Sequence, residues 1–336
     1  MPNIPLEMGE LGHLLDLAQQ RRESLVQKLA AENTDCRRLF HGTVEGRSGL
    51  TVDKYGPLVL AQTFHEPLSD LELSALVDRF GEWLVYNHRG ELETRFQFHT
   101  PEPQAMEPVW ASEFGLNYSI QARHKGLDPH LFLDLRVGRR WVLENASDQQ
   151  VLNLFAYSCG LGQAAVAAGA TEVWNVDFSG AALRVGQLNL RHNGLPESRV
   201  RFIKEDIFPV LWQLSGIGVK GKRARRGFTK FSQREFDLVL LDPPAFAKGP
   251  FHTVDLVNDY QSLFKPALLC LKPGGRILAT NNLASVSRDT FEAVLTRCAE
   301  KAGRPLQELA WLTPEEDFPS FDGQHPLKIA VARITE

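Results

Sequence analysis

The chain has 336 residues, 43% apolar and 23% charged, with a formal net charge of −4. That is ordinary globular composition, long enough for two domains with self-sufficient cores. No apolar run nears the ~20 residues of a membrane span, which excludes a helical membrane protein. The four cysteines, Cys36, Cys159, Cys270 and Cys298, form no CxxC pair. Their scatter argues against a disulfide framework or a thiolate metal site and for reduced, cytoplasmic thiols. The opening MPNIPLEMGELGHLL lacks the basic and apolar regions of a secretory signal.

In chain order, Leu11, Leu14, Leu15, Ala18, Leu25 and Leu29 recur at helical spacing and predict a helix over residues 8–31. From Leu39 to Phe64 short strand-like runs are punctuated by Gly42, Gly46, Gly49 and Gly56. A helix over 71–86, a strand over 93–98, a proline-rich linker (TPEPQAMEP) and a hairpin over 113–122 follow. The expected organisation is an N-terminal helical extension (1–37), a small α+β domain (38–118) and a larger domain (119–336).

The second half is more regular. Strands are predicted at 151–155, 173–177, 200–206, 236–242 and 275–282, with helices between them, one capped by Ser179 and another by Ser287. QELAWL and LKIAVARI supply two last strands with no helix between them, so one of these runs antiparallel. The fold class is α/β, a doubly wound, seven-stranded Rossmann-like sheet.

Ligands of such sheets sit at the carboxyl ends of the strands. The first strand runs into AYSCGLG (156–162), where Gly160 and Gly162 allow close backbone approach. The second ends in Asp177, placed to accept both hydroxyls of a ribose, or else to cap the next helix. The third ends in Asp206, placed to accept from an exocyclic amine. Together these describe an adenosine site. Ala165 stands where a dinucleotide fingerprint has its third glycine, which disfavours a nicotinamide dehydrogenase. The fourth strand ends in Asp242-Pro243-Pro244-Ala245-Phe246. Two prolines make a rigid loop without backbone donors, either a plain strand-terminating turn or an acceptor-rich slot with Phe246 free to stack on a planar group.

These motifs make the sequence resemble the large-subunit ribosomal RNA methyltransferases, the methyltransferase I type and the K domain of methyltransferase K/L. The resemblance runs over about residues 38–334, through RLFHGTVEGRSGLTVDKYG (38–56), LFLDLRVGRRWV (131–142), NLFAYSCGLG (153–162), DPPAFAKG (242–249), ATNN (279–282) and HPLK (325–328). It implies S-adenosylmethionine as cofactor, with Phe132, Asp134 and Arg136 beside it. Phe155 and Tyr157 would flank its methionine part, Asp177 its ribose, Asp206 its adenine. Asn153, Ala156, Gly160, Phe178, Ser179 and Ile207 complete the expected cofactor set. Asp242 would face a target base, with Pro243, Pro244 and Phe246 around it.

Two departures bear on function. Relatives that make 5-methylcytosine carry a nucleophilic cysteine after the fifth strand. Here that place reads Thr280-Asn281-Asn282, and the paired asparagines resemble those of guanine-N7 enzymes; the alternative is solvent-facing turn polarity. Methyltransferase I also has an RNA-binding domain ahead of its strand-rich domain, where this chain has a helix. RNA binding is expected instead from a basic insert holding Lys220, Lys222, Arg223, Arg225, Arg226, Lys230 and Arg234 with no acid among them. Phe228 and Phe231 interleave there for a splayed base; a solvated, disordered insertion is the alternative. Arg123, Lys125, Arg139 and Arg140 would extend the positive surface.

His124, His130 and His325 lack metal-ligand spacing, so no metal is expected. Cys159 reads as a small buried thiol rather than a nucleophile. The resulting expectation is a cytoplasmic RNA methyltransferase, monomer or homodimer, acting on 23S ribosomal RNA with guanine N7 favoured. The rivals are methylation of an exocyclic amine of adenine or cytosine, or of a protein amide, and a non-catalytic RNA-binding module.

Overall fold

A computed structural model describes residues 8–90, 105–124 and 128–335. The strand expected over 93–98, part of the proline-rich linker and Lys125 lie outside the described residues. The chain divides into two compact units, Met1–Asp134 with Glu315–Gly323, and Leu135–Pro314 with Gln324–Glu336. The division falls after Asp134 rather than after residue 118.

In the first unit the helix expected over 8–31 is two helices, α1 (Met8–Arg21) and α2 (Glu23–Ala31). They part at Arg22, whose buried guanidinium donates to both Glu45 carboxylate oxygens at 2.7 and 2.9 Å. There follow β1 (Cys36–His41), α3 (Gly42–Glu45), β2 (Leu50–Tyr55), β3 (Leu58–Thr63), α4 (Asp70–Phe80), β4 (Leu84–His88) and the hairpin β5 (Val109–Glu113)–β6 (Leu116–Ile120). The main sheet has the order β1-β2-β3-β4, with only β3 and β4 parallel. Leu11, Leu15 and Ala18 share one core with Phe40, Val52 and Leu76, so residues 8–31 belong to this unit instead of forming an extension. The helix expected over 71–86 stops at Phe80: Gly81 turns left-handed (φ +65°) and the β-rich run LVYNH pairs with β3. Several polar residues of the 38–56 motif serve the fold. Arg38 Nε and Nη2 clasp Asp53 at 2.8 and 2.9 Å, and buried Arg47 pairs with Glu72.

The second unit comprises α5 (Arg136–Asn145), β7 (Gln150–Leu154), α6 (Gly160–Ala167), β8 (Glu172–Asp177), α7 (Gly180–His192), β9 (Val200–Lys204) and α8 (Ile207–Leu214). Next come β10 (Phe236–Leu241), β11 (Phe246–Lys248), β12 (Thr253–Asp255), α9 (Gln261–Leu269), β13 (Leu271–Asn281), α10 (Arg288–Ala302), β14 (Leu306–Leu312) and β15 (Lys328–Ile334). Seven strands form one sheet in the order β9-β8-β7-β10-β13-β15-β14. All are parallel except β15, antiparallel to both neighbours, as the missing helix predicts. Alternate strand residues feed two cores, one holding Trp174, Leu241 and Ile277, the other Val173, Leu240 and Leu278. Ser179 and Ser287 cap α7 and α10 as expected, accepting from Ala182 N and Thr290 N. The helix expected between the strands 236–242 and 275–282 begins only at Gln261. Before it β12 pairs with β11, and Asp255 Oδ1 accepts from Val257 N and Asn258 N at 3.0 Å in a tight turn. Among the described residues no helix is long and apolar enough to cross a membrane.

Gly162 sets how closely α6 approaches the sheet. A Cβ there would lie 2.0 Å from Asn175 Oδ1, the atom that accepts from Asn153 Nδ2 at 2.8 Å. Its bareness is thus a packing requirement within the fold rather than a ligand approach. Gly162→Ala is expected to destabilise the protein by about 1–3 kcal/mol, read as a lower urea midpoint with an unchanged slope.

Candidate active site

The loop after β7 is built under strain. Phe155, Tyr157 and Cys159 all have positive φ (+58°, +49° and +64°), which costs on the order of 1–3 kcal/mol each and persists only where surroundings enforce it. The enforcement comes from the end of β8. Ala156 N donates to Val176 O at 3.0 Å and Tyr157 N to Asp177 Oδ2 at 2.8 Å. Asp177 Oδ1 accepts from Ser179 N at 2.7 Å. Only 5% exposed, Asp177 has its carboxyl pKa raised by burial against the lowering effect of these two hydrogen bonds. A carboxylate has about four acceptor positions, so two stay available for a vicinal diol. The carboxylate braces the strained loop, and Ser179 rather than Asp177 caps α7.

Next to it Asp206 ends the segment after β9. Its Oδ1 accepts from Phe208 N at 2.9 Å, capping α8, and burial raises its pKa as well. A cavity of about 350 Å³ opens here, lined by Phe155, Phe178, Asp206, Ile207, Phe251 and His252 among others. Aromatic and aliphatic walls with two carboxylates, Glu205 and Asp206, suit a purine carrying an exocyclic amine. Asp206, Phe155, Phe178 and Ile207 line this cavity, and Asp177 lies beside it at the neighbouring strand end, opposite Lys204. The contribution of β11, β12 and their turn (247–252) was not foreseen; Gly249-Pro250 was its only sequence signal.

The remaining expected cofactor residues divide. Tyr157 is half-buried in the loop and Gly160 opens α6. Asn153, fully buried, has its amide on Asn175 inside the sheet, and Ala156 is buried beneath the loop. Ser179 caps its helix through Oγ. Arg136 is buried at the start of α5, whereas Phe132 and Asp134 belong to the first unit. Buried Cys159 has its thiol pKa pushed well up by burial and by Asp177, so it stays a neutral thiol.

At the end of β10, Asp242 Oδ1 accepts a hydrogen bond from Thr280 Oγ1, whose carbonyl accepts from the buried Tyr260 hydroxyl at 3.0 Å. Pro243 is buried, Pro244 half-buried, and Phe246 is 58% exposed. The asparagine pair splits. Asn281 is fully buried, donating to Leu256 O (3.3 Å) and accepting from Leu283 N (3.0 Å), while Asn282 is exposed. An open Asn281–Asn282 edge is therefore corrected to Asn282 alone.

The profile of one family, S-adenosylmethionine-dependent methyltransferases, matches residues 37–333. The chain belongs to this family. Its cofactor is S-adenosylmethionine, and the enzyme is a methyltransferase. Among curated relatives, Ribosomal RNA large subunit methyltransferase I of Aeromonas salmonicida is 29% identical over 316 residues, covering 91% of this chain and 74% of the relative. The protein of that name from Shewanella amazonensis is 28% identical over 331 residues (94% and 78%). In fold, a methyltransferase solved with SAH superposes with a TM-score of 0.81 at 21% identity, covering 98% of this chain and 83% of that one. A methyltransferase from Streptococcus mutans gives 0.80 at 20% identity (98% and 82%).

The basic insert packs against the core. Phe228 packs edge-on against Phe251 at 5.8 Å and Phe231 against Trp174 at 5.7 Å. Both rings expected to interleave with bases thus face the core. Arg234 pairs with Glu172 and Lys230 Nζ sits 3.8 Å over Phe228. Lys220, Lys222, Arg225 and Arg226 are exposed, with no acidic partner among the described residues. Arg123 and Arg139 are buried, Arg123 donating to Asn87 Oδ1 at 2.8 Å, so neither extends a positive surface. Among the described residues no cluster of three or more His, Cys, Asp or Glu could hold a metal.

Because burial raises both Asp177 and Asp206, their ionised forms disappear above the ordinary carboxylate range as pH falls. Affinity for 5′-methylthioadenosine, which carries no titrating amino acid, should be flat above neutrality and fall toward pH 5. Calorimetric titration across that range checks this; Asp177→Asn should bind weakly throughout with a shallower slope.

Proposed function

We propose that this methyltransferase modifies a base of 23S ribosomal RNA, with guanine N7 favoured as acceptor. The observation that carries the reading is the Asp242–Thr280 pair at the place where 5-methylcytosine enzymes have a nucleophilic cysteine. All four cysteines are buried and none is in a disulfide, and Thr280 supplies a hydroxyl that fixes a carboxylate instead. Support for ribosomal RNA comes from the curated relatives that bear that substrate in their names.

Bound S-adenosylmethionine supplies a sulfonium methyl. Guanine N7 carries a lone pair and no proton, so attack needs no general base: the N–C bond forms as the C–S bond breaks and the electron pair goes to sulfur. Methylation leaves positive charge on the purine. In this reading Asp242, held by Thr280, orients the base and lies against that developing charge. Asn282 hydrogen-bonds the base edge, and exposed Phe246 stacks on the base once it leaves its helix. The first unit docks RNA, and four exposed cations of the insert, Lys220, Lys222, Arg225 and Arg226, hold phosphates.

Asp242→Ala should lower transfer by about 10²-fold or more while cofactor affinity stays nearly unchanged; a loss of affinity like that of Asp177→Ala would contradict the role. Tritium transfer from labelled S-adenosylmethionine to total RNA of a strain lacking the gene, followed by nucleoside analysis, tests the substrate. Label in 7-methylguanosine of large-subunit RNA is the expected result. Label in an N-methylated adenine or cytosine would replace the acceptor, and label only in protein would replace the substrate class. With four cations on single-stranded phosphates, log affinity for RNA should fall against log salt with a slope of about −3.

A further inference from the structure

The insert between α8 and β10 has two faces with different partners. On its inner face Thr229 N donates to Glu205 Oε2 at 2.8 Å, and Gln213 accepts from Phe231 N at 3.1 Å while donating to Thr229 O at 3.0 Å. Arg223 lies 5.1 Å over the Trp212 ring, and its Nη2 reaches His252 Nδ1 at 3.5 Å. The other nitrogen of that imidazole, Nε2, is 2.8 Å from Asp259 Oδ2. A carboxylate only accepts, so Nε2 bears the proton and Nδ1 accepts from Arg223. Gly227 of the insert, with Glu205, Phe251 and His252 that hold it, lines the same cavity as Asp206 and Phe178. On the outer face stand Lys220, Lys222, Arg225 and Arg226.

We infer that the insert is a clasp coupling the two ligands: RNA phosphates gathered on its outer cations hold it in the conformation that walls the adenine cavity, so RNA and cofactor each tighten the other's binding. The inference rests on the RNA reading above. The insert is anchored by two rings, Phe228 and Phe231, and a few hydrogen bonds, while most of its residues are exposed, which puts it at the low-stability end of the fold. A segment of that kind loses conformational freedom when either ligand orders it, and the second ligand then binds an already ordered wall. The coupling is reciprocal by linkage.

The test is calorimetric titration of the full chain with SAH, with and without a saturating uridine oligomer of about 20 nucleotides at low salt. SAH affinity should rise about five-fold with the oligomer present. The variant carrying Lys220→Gln, Lys222→Gln, Arg225→Gln and Arg226→Gln should lose oligomer binding and the five-fold gain together. Phe228→Ala should weaken SAH binding while the oligomer still binds. Oligomer binding that leaves SAH affinity unchanged would overturn the clasp and leave RNA recognition standing. No oligomer binding at all would overturn both. SAH affinity unaltered in a folded Phe228→Ala protein would show that the insert is no part of the wall.

Discussion

Asp177 ends its strand with each carboxylate oxygen already accepting a backbone N–H, one from the strained loop before α6 and one from the turn into α7. That geometry ties three successive structural pieces to a single charged group held almost out of water. Burial makes the ionised form costly, and the two hydrogen bonds offset part of that cost. Its raised pKa means that ionisation at neutral pH subtracts from folding stability. The left-handed residues Phe155, Tyr157 and Cys159 add strain at the same point. A ligand that satisfies the remaining acceptor positions returns stability to the native state by mass action.

The acceptor side is arranged on the same logic of fixed acids. Thr280 and Asn281 are consecutive, but a strand sends them to opposite faces. Thr280 turns its hydroxyl to Asp242, and Asn281 turns its amide to the loop leading to α9. Lys328, on the neighbouring strand, donates to the carbonyls of Leu283 and Pro326, and burial lowers its pKa to about 8. The turn that presents Asn282 is therefore braced from two strands. Charge is placed with similar economy in the first unit, where Arg22–Glu45, Arg38–Asp53 and Arg47–Glu72 are interior pairs. Burial drives His41 beside Arg38 down to about 4.

The central strands were legible because a parallel sheet covered on both faces reads as apolar runs, two of them ending in an acid at Asp177 and Asp242, while the edge strand β9 was marked by the acid Asp206 that follows it. Helix starts were legible where a serine precedes the run, as at Ser179 and Ser287. The β11–β12 pair was not, because a three-residue strand carries too little periodicity to register. Nor were the positive φ values in the loop after β7, since Phe and Tyr are the last residues that propensity would put there. Gly162 looked like a ligand-facing glycine because spacing cannot say which side of a helix start meets the sheet. The insert looked unpartnered for a related reason: Glu205 and Gln213, which hold it, are ordinary polar residues in sequence.

The position of β15 has a kinetic side. It is made after β14 but lies between β14 and β13, pairing with both. Until it arrives β14 has no place in the sheet, and β13 presents a long unpaired edge beside an apolar core. Each β13–β15 contact also joins segments about 50 residues apart in the chain, a closure that must precede any reward from pairing. The half-made sheet is thus the species most exposed to edge-to-edge association. The strand that carries Thr280 and Asn281 acquires its second neighbour last of all.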